Sequence, residues 1–112
     1  MVEFEGKEHD DWWVTDFTWE ELQQVRLVQE RAYRDQQYNG KYGIASFAQY
    51  LEVASEKNVG VYPETKTPVF YSQLLPDFKM EDLMIEALAK SGIDADQIIL
   101  QSFDTNSLGS VT

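Results

Sequence analysis

Cysteine is absent from this chain of 112 residues, so neither a disulfide framework nor a thiolate metal site can form. That absence leaves the compartment open, because secreted chains also do without cysteine. Histidine occurs once, as His9, which limits imidazole chemistry to a single side chain. Long apolar runs are missing too: none approaches the roughly 18 residues that a membrane span requires. The start of the chain carries Glu3, Glu5, Glu8, Asp10 and Asp11, not the basic and then apolar order of a signal peptide. Positive charge is scarce, with 9 Lys and Arg against 20 Asp and Glu and a formal net charge of −11. Repulsion at long range therefore argues against a nucleic-acid backbone or an anionic membrane surface as partner. A phosphate ester would be repelled as well unless a bound cation or particular lysines and arginines gave it a local positive centre.

What the chain does have is enough apolar material to fold. Hydrophobic residues make up 43% of it, including six Phe, six Tyr and three Trp, so by length and composition it can form one compact domain. Residues 1–15 read as an acidic connector, with Trp12 and Trp13 as anchors of that arm to the core and His9 exposed. Thr18 with Glu21 forms a capping box, and Leu22, Val25, Val28 and Ala32 predict a helix that ends in the polar run Arg34–Gln37. A loop marked by Asn39-Gly40 and Gly43 follows. Ser46 with Gln49 opens a second helix, expected to run to about Lys57 with Phe47, Tyr50, Leu51 and Ala54 on one face.

Asn58 terminates that helix, and Val59-Gly60-Val61-Tyr62-Pro63-Glu64-Thr65-Lys66 reads as a buried parallel strand. Thr67 to Phe78, with Pro68 and Pro76, reads as a long loop. Met80, Leu83, Met84, Ala87 and Leu88 follow the i, i+3, i+4, i+7, i+8 pattern of a helix that Gly92 stops, with Ile93 folding back on Leu88. Ile98 to Phe103 predicts a second buried strand. The order helix, strand, helix, strand argues for a parallel βαβ unit. Asp94-Ala95-Asp96 lacks the glycine and distal glutamate of a calcium loop and reads as a turn.

Glu64 and Lys66 carry the chemistry. Two apart on a strand, they share a face and project together at the strand's carboxyl end, where α/β enzymes keep their sites. A carboxylate can hold a hard divalent ion through oxygen, and an ammonium can face a phosphate. Taken alone, the same two residues also fit an ordinary ion pair at a sheet edge.

Tyr62-Pro63-Glu64-Thr65-Lys66 resembles the YPEIK strand of the glycerophosphodiester phosphodiesterase family. Asp16-Phe17-Thr18 with Glu20-Glu21-Leu22 resembles its DFTLxEL helix, Ile44-Ala45-Ser46-Phe47 stands where its IPTFEE segment is expected, and Gln101-Ser102-Phe103-Asp104 resembles its QSFD segment. These landmarks in the expected order are more specific together than any one of them. The resemblance implies a TIM barrel that hydrolyses small-molecule glycerophosphodiesters to glycerol 3-phosphate and an alcohol with a divalent metal, Ca2+ or Mg2+. It also implies that Glu64 is a metal ligand and that Lys66 binds the substrate phosphate.

The pattern is incomplete. The family's first strand supplies an HRG histidine and its second an ExD pair, and this chain matches neither; His9 is assigned no catalytic role. A TIM barrel usually needs ~250 residues. The expectation is therefore an α/β partial barrel over residues 16–112, with about two βα units preceded by the acidic connector and a helix, a fragment inactive by itself. Open sheet edges suggest self-association. Thr65 stands in place of the usual Ile, a change expected to cost only an apolar contact on the strand's outer face, and Gln101 is expected to face the lumen. A non-catalytic acidic interaction module derived from the barrel is the alternative, and a relative of sphingomyelinase D a third reading.

Overall fold

The structure, a computed structural model, describes residues 2–4 and 6–111, without the side chains of residues 2–4 and His9. The expected exposure of His9, and the part of Glu3 and Glu5 in a solvating arm, thus lie outside the described residues. The chain parts into two compact units, Met1–Ser46 and Phe47–Thr112. This division falls between Ser46 and Phe47, whereas the sequence reading divides the chain after residue 15.

In the first unit, strands β1 (Val2–Phe4) and β2 (Lys7–His9) form an antiparallel hairpin turned at Gly6, whose φ of 73° is open to glycine without strain. A single 3₁₀ turn follows at Val14–Asp16. Trp12 is 86% exposed, with its ring 6.1 Å from that of Phe17, so it does not anchor the arm to a core as expected. The capping box forms as read: Glu21 N donates to Thr18 Oγ1 at 3.2 Å and Thr18 N to Glu21 Oε2 at 2.9 Å.

Helix α1 is only Trp19–Leu22, however, and does not reach Ala32. Beyond it the backbone finds better partners across a loop. Arg26 bridges Gly43, Leu27 N donates to Tyr42 O, Gly40 N to Leu27 O, and Gln29 N to Asn39 Oδ1. Val25 and Val28 are exposed, so their helical spacing had no apolar surface to meet.

The second unit holds the core. Helix α2 (Phe47–Lys57) starts directly after Ser46 and buries Leu51 and Ala54, while Tyr50 is 44% exposed. Asn58 ends it in the left-handed region at φ 51°. Strand β3 (Glu64–Thr65) pairs in parallel with β4 (Gln101–Ser102), and an outlying parallel bridge joins Val61 to Ile98.

Between the strands lie α3 (Pro68–Leu74) and α4 (Met80–Ser91). The first of these corrects the long loop expected over 67–78. Pro68 at the first helical position needs no amide partner, and the turn it starts buries Phe70. Gly92 ends α4 at φ 72°, and Ile93 packs against the core formed by Leu51, Ala54, Val61, Met84 and Leu88. A 3₁₀ turn spans Ala95–Gln97, which puts Asp96 in a turn as read, and α5 (Thr105–Val111) follows β4. This unit is a mixed helix and strand arrangement around a small open parallel sheet, the βαβ order anticipated from the sequence.

Candidate functional site

The strand expected over residues 59–66 is corrected to Glu64–Thr65 with an isolated bridge at Val61, but burial alternates along the segment from Val61 to Lys66. Val61, Pro63 and Thr65 are buried, whereas Tyr62 and Lys66 are exposed and Glu64 is half-buried. Alternation at period two puts Val61, Pro63 and Thr65 on the face toward the helices, and Tyr62, Glu64 and Lys66 on the other. Across the ladder, Ile98 and Leu100 pack on the same core, while Ile99 and Phe103 are 63% and 88% exposed. Each segment thus leaves side chains exposed on one face, Tyr62 on the first and Ile99 and Phe103 on the second, which corrects the expectation of two buried strands.

Register pairs Glu64 with Gln101, both half-buried, which sets them side by side on one face of the sheet. Gln101 N donates to Pro63 O at 3.0 Å and Ile99 N to Val61 O at 3.0 Å, a ladder that holds the two carboxyl ends level.

Glu64 Oε1 is shut off from solvent and has no hydrogen-bond partner. A carboxylate oxygen in that condition is costly to leave, and it suits a cation or a donor brought from elsewhere. Glu64 and Lys66 make no ion pair; among the described residues the ion pair is Lys90–Glu86, on an exposed helix face. The edge salt bridge that the residue types alone allowed is therefore not formed. Lys66 extends into solvent at the end of the strand. The next residue, Thr67, adopts φ 48° and ψ 50°, a conformation unusual for a β-branched side chain, so the backbone is strained at the rim.

Beside the strand lies a cavity of about 490 Å³, lined by Phe47 and Tyr50 of α2, Tyr62 and Glu64, and Met80 and Leu83 of α4. Among the described residues no three acids or histidines gather closely enough to hold a metal ion. Glu64 fits a divalent cation as one ligand and no more.

Ser107 and its pairing with Thr65 escaped the sequence reading. Thr65 and Ser107 are each 3% exposed, and their hydroxyl oxygens lie 2.7 Å apart. The expectation that Thr65 merely loses an apolar contact is corrected: its hydroxyl has a buried partner 42 positions away. Only the packing of α5 against α4 and β4 reveals it, since no local spacing links the two positions.

The model of the glycerophosphoryl diester phosphodiesterase family matches residues 3–112. A glycerophosphodiester phosphodiesterase of Arabidopsis thaliana is 36% identical over 120 residues, covering 95% of this chain and 32% of the relative. A glycerophosphodiester phosphodiesterase of Haemophilus influenzae is 32% identical over 116 residues, covering 87% of this chain and 31% of the relative. This chain spans about a third of the length of these curated relatives. No solved structure matches it. With a family match that runs from the amino-terminal hairpin through β3, β4 and the last helix, the chain belongs to the glycerophosphoryl diester phosphodiesterase family.

Proposed function

We propose that this chain supplies one metal ligand and one phosphate-facing cation to a glycerophosphodiester phosphodiesterase site. In this reading β3 and β4 are neighbouring strands of a TIM barrel and their uncovered face is part of its lumen. The observation that carries it is Glu64: a carboxylate on a short parallel strand, with one oxygen screened from water and left without a donor. Parallel sheets ordinarily have both faces covered, which also favours a larger assembly around Tyr62, Ile99 and Phe103.

Glu64 would hold Ca2+ or Mg2+ through oxygen. When bound, such a cation supplies Lewis-acid polarisation of a phosphoryl oxygen. Lys66 would meet the phosphate of a small glycerophosphodiester and offset the charge that develops there. The exposed, flexible ammonium suits a group that moves onto its substrate. Hydrolysis also needs a general acid and base within reach of the phosphate. The described residues offer no cluster of acids or histidines that could complete the metal shell. Residues 1–112 alone are accordingly expected to be inactive, and their open sheet is expected to promote self-association. Among the described residues no helix is long and apolar enough to cross a membrane.

Calcium titration of the purified chain tests the reading. Binding to the native state alone raises the melting temperature by mass action, and that rise should vanish in Glu64→Gln. No glycerol 3-phosphate should be released from glycerophosphocholine with calcium or magnesium present. A melt insensitive to both metals, together with a specific protein partner, would favour the non-catalytic interaction module.

A further inference from the structure

We infer that Thr65 and Ser107 form a positioning pair that fixes the rim of β3, and with it the placement of Glu64 and Lys66. The functional meaning of that placement rests on the reading just proposed. The pair itself rests on hydrogen bonds and burial.

Thr65 and Ser107 are the buried polar residues among those described, and the 2.7 Å contact links their hydroxyls. A hydroxyl carries one donor and two acceptor positions, so a buried one without a partner is destabilising. Each of these residues is the other's side-chain partner, and the bond ties the last residue of β3 to the first turn of α5.

The tie is one side of a closed ring. Ser102 Oγ donates to Thr65 O at 2.9 Å, and Asp104 N donates to Ser102 Oγ at 3.1 Å. Asp104 Oδ1 in turn accepts from Ser107 N at 3.2 Å and from Asn106 N at 2.9 Å. Thr65, Ser102, Asp104 and Ser107 thereby clamp the carboxyl ends of both strands to the start of α5. Both arms of the ring end on Thr65: its side chain is held by Ser107 and its carbonyl by Ser102. With the residue between them gripped at two points, Glu64 and Lys66 have little freedom in the direction of their Cα–Cβ bonds.

Apolar packing alone would hold the strand against the helix layer without fixing the rotation of the peptide between Thr65 and Lys66. Directional bonds fix it. Thr67 then leaves the strand in the left-handed region, a backbone that persists only where its surroundings over-determine it.

The whole chain, at 13.0 kDa, suits solution NMR. The probe is the side-chain carboxyl 13C resonance of Glu64, recorded without metal. Thr65→Val keeps the shape and removes the hydroxyl, Thr65→Ser keeps the hydroxyl and removes the methyl, and Ser107→Ala removes the other partner. Thr65→Val and Ser107→Ala are each expected to lower the melting temperature by about 5 °C and to displace the Glu64 resonance. Thr65→Ser should leave that resonance at its wild-type position. The double variant Thr65→Val/Ser107→Ala, which leaves neither hydroxyl orphaned, should regain most of the melting temperature and keep the displaced resonance.

A Glu64 resonance unmoved in Thr65→Val and Ser107→Ala would overturn the inference and leave the pair as packing only. Should Thr65→Val fail to fold, the contrast between Ser107→Ala and Ser107→Thr decides in the same way, the threonine keeping the bond and the resonance. Adding calcium to the wild type separates the two proposals: no response of Glu64 to the metal sinks the metal reading, whereas the effect of Thr65 and Ser107 on the resonance is measured without it.

Discussion

Gly60 shows how much of the strand pairing depends on one missing side chain. A Cβ built there would lie 2.9 Å from the carbonyl oxygen of Gln97, the same atom that accepts from Val61 N at 2.8 Å. Gly60→Ala must therefore push apart the backbones at the first rung of the parallel ladder. We expect a loss of about 1–3 kcal/mol, the usual range for forced overpacking, read as a lower midpoint in chemical unfolding. Unchanged stability would mean that the two segments do not approach this closely. Glu64 and Lys66 were legible as candidates because strand alternation is a local rule, and the alternation of burial from Val61 to Lys66 follows it. The Thr65–Ser107 bond was not legible, for its two ends meet only through the docking of α5.

Helix ends and faces follow local rules where the helix packs on the core. Helix α4 spans Met80 to Ser91 as its spacing predicts, buries Met84 and Leu88, and stops at Gly92 in the left-handed region. On its outer face, Lys90 Nζ donates to Glu86 Oε1 at 2.6 Å, four residues apart. That hydrogen bond, and then the charge of the lysine, hold the Glu86 carboxyl below its ordinary value of 4.5. A carboxyl depressed on folding adds stability above the unfolded value and loses it as pH falls through the folded one. Lys90→Ala should accordingly raise the Glu86 titration midpoint, followed by carboxyl 13C NMR. The difference in melting temperature from wild type should shrink as the solution is acidified through and below pH 4.5. The difference will be small, because both side chains are largely exposed and solvent screens the pair. The stretch after Leu22 broke the same helical rule, with Val25 and Val28 at the right spacing but no apolar surface to cover them. Hydrogen bonds donated by Gln29 N to Asn39 Oδ1 and by Leu27 N to Tyr42 O satisfied that backbone instead.

The open sheet is the feature from which self-association is expected. A two-stranded parallel sheet with Tyr62, Ile99 and Phe103 uncovered offers both apolar surface and unpaired edges to a second copy. Sedimentation equilibrium should show a mean mass that rises with concentration, and Phe103→Asp on the uncovered face should lower it toward the monomer. A mass independent of concentration would argue that charge repulsion at −11 prevails over the exposed face. Sequence alone determined the capping box at Thr18, the helices from Phe47 and Met80, the stop at Gly92 and the parallel order of the βαβ unit. All of these obey periodicities and end signals that operate over a few residues. Tertiary structure decided what those rules cannot reach: that the helix from Thr18 ends after one turn, that Pro68 starts a helix inside an expected loop, that each strand segment leaves side chains exposed on one face, and that Thr65 finds its partner in Ser107. Each of these depends on which surfaces and polar groups distant segments bring together, and burial, unlike spacing, is not a property of neighbours in the chain.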